Sequence, residues 1–377
     1  MNPLKRLNDF GQSVYLDEIR RSWLHDGTLT TLIERDGLRG VTSNPAIFQK
    51  AIAESRDYDD AIAEHAKRGD DAMATYEDLV VADIQAAADH FREVYDASDG
   101  RFGYVSLEVS PELAHDTEGT VAEARHLWQR LDRPNVFIKV PGTEEGTPAI
   151  ERLIREGINV NVTLLFGLDR YREVAEAYLA GLEARVAAGA PVARVASVAS
   201  FFLSRIDVMI DPVLDAEANL GGDREGEVRS LRGQAAVASA KLAYVIFQDL
   251  FGDGAERFAK LAAAGARPQR LLWASTSTKD PSYPDTKYVE PLIGPDTVNT
   301  MPMDTLDAYR DHGEPAARIE QDVDEARELH GRLAAVGIDL DAVTAELETE
   351  GVAKFIKPFR SLLGTLEEAL RRAPARG

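Results

Sequence analysis

The chain has 377 residues, 44% of them hydrophobic, and a formal net charge of −21. That length holds one large domain or two ordinary ones. The acidic balance argues against nucleic acid or an anionic membrane as a main partner, and it makes any anionic small substrate dependent on local basic residues. With no cysteine, a disulfide frame, a thiolate metal site and a thiolate nucleophile are all excluded. No apolar run reaches transmembrane length, and Met1 to Arg6 leads into no signal-like segment. The expectation is a cytoplasmic protein with no membrane partner.

Taken in order, Ser13 to Asp17 reads as a short strand ending in a carboxylate, followed by helical spacing from about Thr28 to Arg35. Leu38 to Thr42 reads as a second strand, closing on Ser43-Asn44-Pro45. From Ala46 to Val94 the pattern is helical and too long for one connection, so several helices are expected. Tyr104 to Val109 is a third strand, stopped by Ser110-Pro111, and Val136 to Val140 a fourth, stopped by Pro141-Gly142. Thr147-Pro148 predicts an N-cap with proline at the first helical position, and Gly157 predicts the end of that helix. Ile158 to Thr163 reads as a fifth strand and Ala193 to Ser200 as a sixth. A long helical region from about Arg205 to Leu250 breaks near Gly221-Gly222. Arg270 to Ser275 is a seventh strand and Thr297 to Thr300 an eighth. Residues 303–377 read as acidic helices, fraying over Arg371 to Gly377.

Eight strands alternating with helices is the count of a (β/α)8 TIM barrel. The expected form is one barrel domain over 1–377, with added helices after strands two and six and 303–377 as a helical C-terminal extension. A doubly wound sheet is the competitor, but no glycine-rich phosphate loop follows the first strand, where Asp17 runs into Glu18-Ile19-Arg20.

In a barrel enzyme the C-terminal strand ends line one mouth. Here they offer Asp17, Thr42 with Asn44, Glu108, Lys139, Asn161 with Thr163, Ser200 and Ser275. Lys139 sits inside an apolar, β-branched run, and Glu108 in another. A buried charge is costly and needs a partner or a task. Each residue alone also fits a duller use. Asp17 suits a helix cap, Asn44 before Pro45 suits an N-cap, Glu108 suits a structural ion pair, and Lys139 can snorkel into water. As a set they suit Schiff-base catalysis. An amine attacks a ketone and loses water to form an imine, which then serves as an electron sink for breaking the adjacent carbon–carbon bond. One carboxylate takes the hydroxyl proton that triggers cleavage, and another moves protons through water as the imine forms and hydrolyses. No cofactor or metal is called for. The seven histidines are scattered, and His115-Asp116 reads as a solvated loop.

Four runs resemble transaldolases: Gly40-Val-Thr-Ser-Asn-Pro-Ala-Ile-Phe48, Val105-Ser-Leu-Glu-Val109, Val136-Phe-Ile-Lys-Val-Pro-Gly142 and Gly157-Ile-Asn-Val-Asn-Val-Thr-Leu-Leu-Phe166. The likeness extends from Tyr15 to about Met301, and the chain's length resembles the longer bacterial members. The resemblance implies a (β/α)8 barrel with the Schiff-base lysine, Lys139, on the fourth strand. It implies that Asp17 is the acid/base for the hydroxyl at the cleaved bond and that Glu108 and Thr163 hold the catalytic water. Asn44 and Asn161 would bind the hydroxyls of a dihydroxyacetone unit, with Thr42 and Ser200 shaping the same wall. Arg205, in Ser200-Phe-Phe-Leu-Ser-Arg205, would bind substrate phosphate. The family's Ser-Phe-Arg after the seventh strand is here Ser275-Thr276-Ser277, so Ser275 matches while the second arginine is absent. Lys279 is the candidate replacement, with Ser277 as an added hydroxyl.

The implied reaction is transfer of a dihydroxyacetone unit from sedoheptulose 7-phosphate to glyceraldehyde 3-phosphate, in the non-oxidative pentose phosphate pathway. The implied partners are small sugar phosphates, with the enzyme a monomer or homodimer. A fructose 6-phosphate aldolase that releases free dihydroxyacetone is the enzymatic alternative, but those relatives are much shorter chains. A catalytically silent barrel acting as an assembly protein is the non-enzymatic one.

Overall fold

The computed structural model describes residues 2–372. Eight parallel strands close into a barrel in sequential order. They are β1 (Gln12–Leu16), β2 (Gly40–Val41), β3 (Tyr104–Glu108), β4 (Val136–Pro141), β5 (Val160–Leu165), β6 (Ser197–Phe202), β7 (Arg270–Ala274) and β8 (Thr297–Met301). β8 closes on β1, with Gln12 opposite Thr297 and Leu16 opposite Met301. The strands are buried on both faces, inward by the barrel core and outward by helices, which is why they read as near-continuous apolar runs. β2 has only two residues, and Gly40 lies hard against its neighbours. A Cβ there would sit 2.5 Å from the Tyr104 carbonyl oxygen and 2.5 Å from the Tyr15 ring.

The expected extra helices are present. Pro45–Ala53, Asp59–Arg68, Ala72–His90 and Arg92–Ala97 follow β2. Ser204–Asn219, Glu225–Leu231, Ala235–Phe251 and Glu256–Ala263 follow β6, with the predicted break at Gly221 and Gly222, both at positive φ. The last of these helices, eight residues long, was not anticipated.

Three local expectations are corrected. β6 starts at Ser197 rather than Ala193, because the Val195 N–H turns back onto the Val192 carbonyl. β5 starts two residues later than expected, because the Ile158 N–H is taken by the Leu153 carbonyl at the preceding helix end. It also runs on to Leu165, through a register shift in which Leu164 adopts φ +61°. Thr147 is not an N-cap. The helix Gly146–Glu156 begins two residues earlier than expected, the Gly146 N–H donates to Thr143 Oγ1 at 3.0 Å, and the Thr147 hydroxyl donates to the Thr143 carbonyl. Gly157, at φ +87°, ends that helix as predicted.

Beyond β8 come Met303–His312, Val323–Ala335 and the 33-residue helix Leu340–Arg372. The last buries Leu347, Gly351, Val352, Phe355, Phe359, Leu362 and Leu366, an apolar stripe at helical period. This stripe packs on the helices Pro45–Ala53 and Ala72–His90, and on β5. Gly351 permits the close approach, since a Cβ there would meet Leu164 at 3.0 Å and Phe166 at 3.4 Å. The helix therefore lies over the C-terminal mouth of the barrel. It runs through Arg371 and Arg372, so the fraying expected from Arg371 is corrected there, and 373–377 lie outside the described residues. Among the described residues no single helix is long and apolar enough to cross a membrane.

Candidate active site

Glu108 and Lys139 are register partners on adjacent strands, so both side chains enter the barrel at the same level. Lys139 is 4% exposed, which rules out snorkelling into water. Its Nζ donates to the Ser43 carbonyl at 3.0 Å and lies 3.3 Å from Glu108 Oε2. The Glu108 carboxyl is pushed up to about 7, chiefly by burial and secondarily by Asp17, against the attraction of Lys139. It is thus poised to gain and lose a proton near neutrality.

Asp17 follows β1 directly and does not cap a helix. The next helix, Arg21–His25, starts after Arg20 without a side-chain cap. Instead Asp17 Oδ1 accepts from Thr42 Oγ1 at 2.6 Å, and Thr42 Oγ1 also lies 2.6 Å from Thr300 Oγ1. Burial raises the Asp17 pKa, while Lys139, the Thr42 hydrogen bond and Arg205 hold it back. Two carboxylates therefore face one amine in different settings, Glu108 in ion-pair contact with it and Asp17 hydrogen-bonded to a hydroxyl.

Beside the lysine, Asn161 is held on both sides. Its Nδ2 donates to Ser106 Oγ at 3.1 Å, and its Oδ1 accepts from Ser200 Oγ at 2.7 Å. This chain of bonds through β3, β5 and β6 fixes the amide's orientation. Thr163 Oγ1 and both Glu108 oxygens are buried without a hydrogen-bond partner among the described residues. Such groups cost free energy unless the site uses them. Asn159, one turn of the pleat lower, donates to the Pro134 and Val136 carbonyls and is structural.

A cleft of about 220 Å³ opens above Lys139, lined by Asp17, Thr42, Asn44, Ser200, Arg205, Ser275 and Lys279 among others. Asn44 has two settings. Its Oδ1 caps the helix Pro45–Ala53 through the Ile47 N–H at 3.0 Å, and the residue also lines the cleft. Arg205 stands in the first turn of the helix Ser204–Asn219, with its guanidinium 5.3 Å from the Phe202 ring and 5.9 Å from that of Phe355. One of its nitrogens, NH1, is buried and donates to nothing among the described residues. Ser275 leaves β7 in a left-handed conformation, φ +55°, with its hydroxyl 2.8 Å from Ser204 Oγ. Lys279 is exposed at the rim, with its ammonium bonded to Ser277 Oγ.

Sequence reasoning missed three members. Thr300, on β8, was visible as a strand-end hydroxyl before Met301-Pro302 but was not selected. The Ser43 carbonyl is backbone and carries no sequence signal. Phe355 comes from the C-terminal helix, and its ring lies 5.6 Å from Lys139 Nζ. Its only signal was membership of an amphipathic stripe. His115 and Asp116 are not part of the site. His115 pairs with Glu145 at 2.9 Å, and Asp116 caps the helix Thr117–Leu131. Among the described residues no group of three or more His, Asp or Glu is placed to hold a metal.

Residues 14–366 match the family model described as transaldolase/fructose-6-phosphate aldolase. The chain is 50% identical over 366 residues to a protein of Thiobacillus denitrificans named transaldolase, covering 97% of this chain and 100% of that one. It is 49% identical over 377 residues to a transaldolase of Frankia alni, covering 100% of both. A transaldolase 2 of Nostoc sp. is 48% identical over 372 residues, covering 97% of each. A barrel with its amine on the fourth strand, matched over nearly its whole length, places this chain in the transaldolase/fructose-6-phosphate aldolase family.

Proposed function

We propose that the protein transfers a dihydroxyacetone unit from sedoheptulose 7-phosphate to glyceraldehyde 3-phosphate, giving erythrose 4-phosphate and fructose 6-phosphate in the non-oxidative pentose phosphate pathway. The observation that carries this reading is the buried Lys139 amine, 3.3 Å from Glu108 in a cleft that also presents Asp17 and Arg205. The full-length match to relatives named transaldolases favours transfer over simple aldol cleavage. Small sugar phosphates are the partners, and the same reading has the enzyme act in the cytoplasm as a monomer or homodimer. It also treats 303–377 as part of the barrel domain, since Phe355 reaches the cleft.

The arrangement supports the following steps. Lys139 Nζ attacks the ketone carbon of the donor, and the resulting carbinolamine loses water to give an imine. Glu108, in contact with the amine and titrating near neutrality, relays the protons of that dehydration through a water held with Thr163 Oγ1. Asp17 takes the proton of the hydroxyl on the carbon beyond the scissile bond. That bond breaks, its electrons pass to the imine as an enamine, and the aldose phosphate leaves. The enamine then attacks the incoming aldehyde, Asp17 returns its proton, and hydrolysis of the imine frees Lys139. Asn44 and Asn161 hold the hydroxyls of the dihydroxyacetone unit. Thr42 keeps Asp17 aimed, and Ser200 keeps Asn161 aimed.

Arg205 receives the phosphate, assisted at the rim by Ser275, Ser277 and Lys279. Lys279 supplies charge without the planar fork of an arginine, so the main phosphate contact falls on Arg205. Arg205→Ala is expected to raise KM for phosphorylated donors by about 10- to 100-fold, with little effect on unphosphorylated dihydroxyacetone donors. Steady-state kinetics on both classes decides this, and equal losses on both would remove Arg205 from phosphate binding.

Phe355 walls the cleft beside both the amine and the arginine. Phe355→Ala admits water and loosens the covering helix. We expect kcat/KM to fall by about tenfold and stability to drop by about 3–5 kcal/mol. Initial-rate assays and urea unfolding measure the two effects separately. Unchanged kcat/KM together with lowered stability would confine Phe355 to packing.

A further inference from the structure

A second cavity, of about 670 Å³, lies at the opposite end of the barrel. Its walls come from the N-terminal ends of the strands. Arg39 immediately precedes β2, Arg101 and Phe102 precede β3, Ser197 opens β6, and Arg267 and Arg270 flank the start of β7. It shares no residue with the cleft around Lys139.

Its charge stands out in a chain of net charge −21. Many arginines elsewhere pair with carboxylates, as Arg125 does with Glu156, Arg133 with Asp89 and Arg257 with Glu183. Arg267 here also has one, the exposed Asp99 at 3.4 Å. Arg39, Arg101 and Arg270 have none within ion-pair distance among the described residues. Arg270 donates to Ser13 Oγ at 2.9 Å and to the Arg101 carbonyl at 3.5 Å. The Arg39 guanidinium donates no hydrogen bond among the described residues and is held by the Phe102 ring, 3.8 Å from its centroid. Arg270 lies 5.4 Å from the same ring centroid. Phe102 thus holds two like charges close together. The remaining carboxylates nearby are Asp296, on the wall, and the exposed Asp9. The fully buried Tyr15 hydroxyl lies against Arg270 and near Arg39. Burial and the repulsion of Arg270 and Arg101 lower the Arg39 pKa to about 10.

Grouping unpaired guanidiniums around one cavity is unfavourable in itself, because the like charges repel and desolvation adds to the cost. An oxyanion with several charges offsets both terms and matches the guanidinium fork bidentately. A monocarboxylate neutralises only one of the three free cations. Beneath them, Tyr104 and Phe137 are stacked with centroids 4.3 Å apart, and Pro268 and Pro295 complete an apolar wall that suits an organic moiety. The volume lies in the range of small-metabolite sites. We propose that this cavity binds a small phosphorylated metabolite, its phosphate held by Arg39, Arg101 and Arg270, at a site distinct from the catalytic one.

The probe is sodium pyrophosphate, titrated calorimetrically into Arg205→Ala protein at fixed ionic strength, so that the catalytic phosphate site is weakened. One binding site with Kd of about 1 mM or tighter is expected. Adding Arg39→Gln should weaken it by about tenfold or more, and Arg101→Ala, at an exposed residue whose loss leaves the fold intact, by about threefold or more. In the otherwise native enzyme, both substitutions should leave kcat/KM for sugar phosphates within about twofold. Acetate at the same ionic strength should give no comparable binding. Absence of pyrophosphate binding, binding indifferent to both substitutions, or equal binding of acetate would each overturn the proposal.

Discussion

Replacing Lys139 with methionine is expected to lower kcat/KM for transfer by about 10⁴-fold or more, a loss of roughly 5.5 kcal/mol or more in transition-state stabilisation. The other amine lining the cleft, Lys279, sits exposed at the rim, bonded to Ser277 Oγ rather than paired with Glu108. Methionine keeps the length and apolar contacts of the side chain, so the substitution tests chemistry rather than packing. It does leave Glu108 without its ion-pair partner, which favours the protonated carboxyl that burial already favours. The direct readout is trapping. The enzyme is incubated with fructose 6-phosphate, reduced with borohydride and mapped by mass spectrometry. The native protein should carry a dihydroxyacetone-derived adduct on the peptide containing Lys139, and the variant should carry none. An adduct elsewhere, or equal turnover by the two proteins, would reject the mechanism.

The second large effect belongs to Glu108. Glu108→Gln retains shape but ends proton exchange, so kcat should fall by about 10²- to 10⁴-fold. The ionisation near neutrality should vanish from the pH–rate profile of the residual activity, because the group raised to about 7 has gone. Stability gives an independent check with a definite sign. The Glu108 carboxyl titrates higher in the folded chain than in the unfolded one, so between about pH 4.5 and about 7 the folded state binds the extra proton. Its contribution is fully present below the unfolded value and is lost as pH rises through about 7. Urea unfolding at pH 5 and pH 8 should show native stability falling with pH by more than in the variant. Asp17 acts with the same sign in both proteins, since burial raises its pKa too. Parallel pH dependences in the two proteins would place the neutral ionisation on another group.

Lys139 and Glu108 were legible because each interrupts an apolar strand run, and the period of two sends both inward. Asp17 was legible as a strand end, but its use was not. A cap and a cleft carboxylate look alike until Thr42 Oγ1 is found 2.6 Å away. Asn44 shows that the two uses are compatible, since one side chain both caps a helix and faces the cleft. Thr147 misled, because a Thr-Pro pair resembles a helix start while Thr143, four residues earlier, supplies the oxygen. The arginines of the second cavity gave no warning at all. Arg39 and Arg101 lie on connections and Arg270 opens β7, far apart in the chain, and barrel closure alone brings them together.

Local chemistry of the chain was therefore enough to determine the strands, their polar ends, the barrel count and the amine at its centre. These rest on periodicity and on the cost of burying charge, and both can be read within a few residues. The tertiary structure decided which ends meet, which duller uses are also in force, and what covers the mouth. The helix Leu340–Arg372 reads as one more amphipathic helix, and the hydrophobic effect that seats it is non-directional. Only the shape offered by Leu164, Phe166 and the helices after β2 places Phe355 within 5.6 Å of the lysine more than two hundred residues before it.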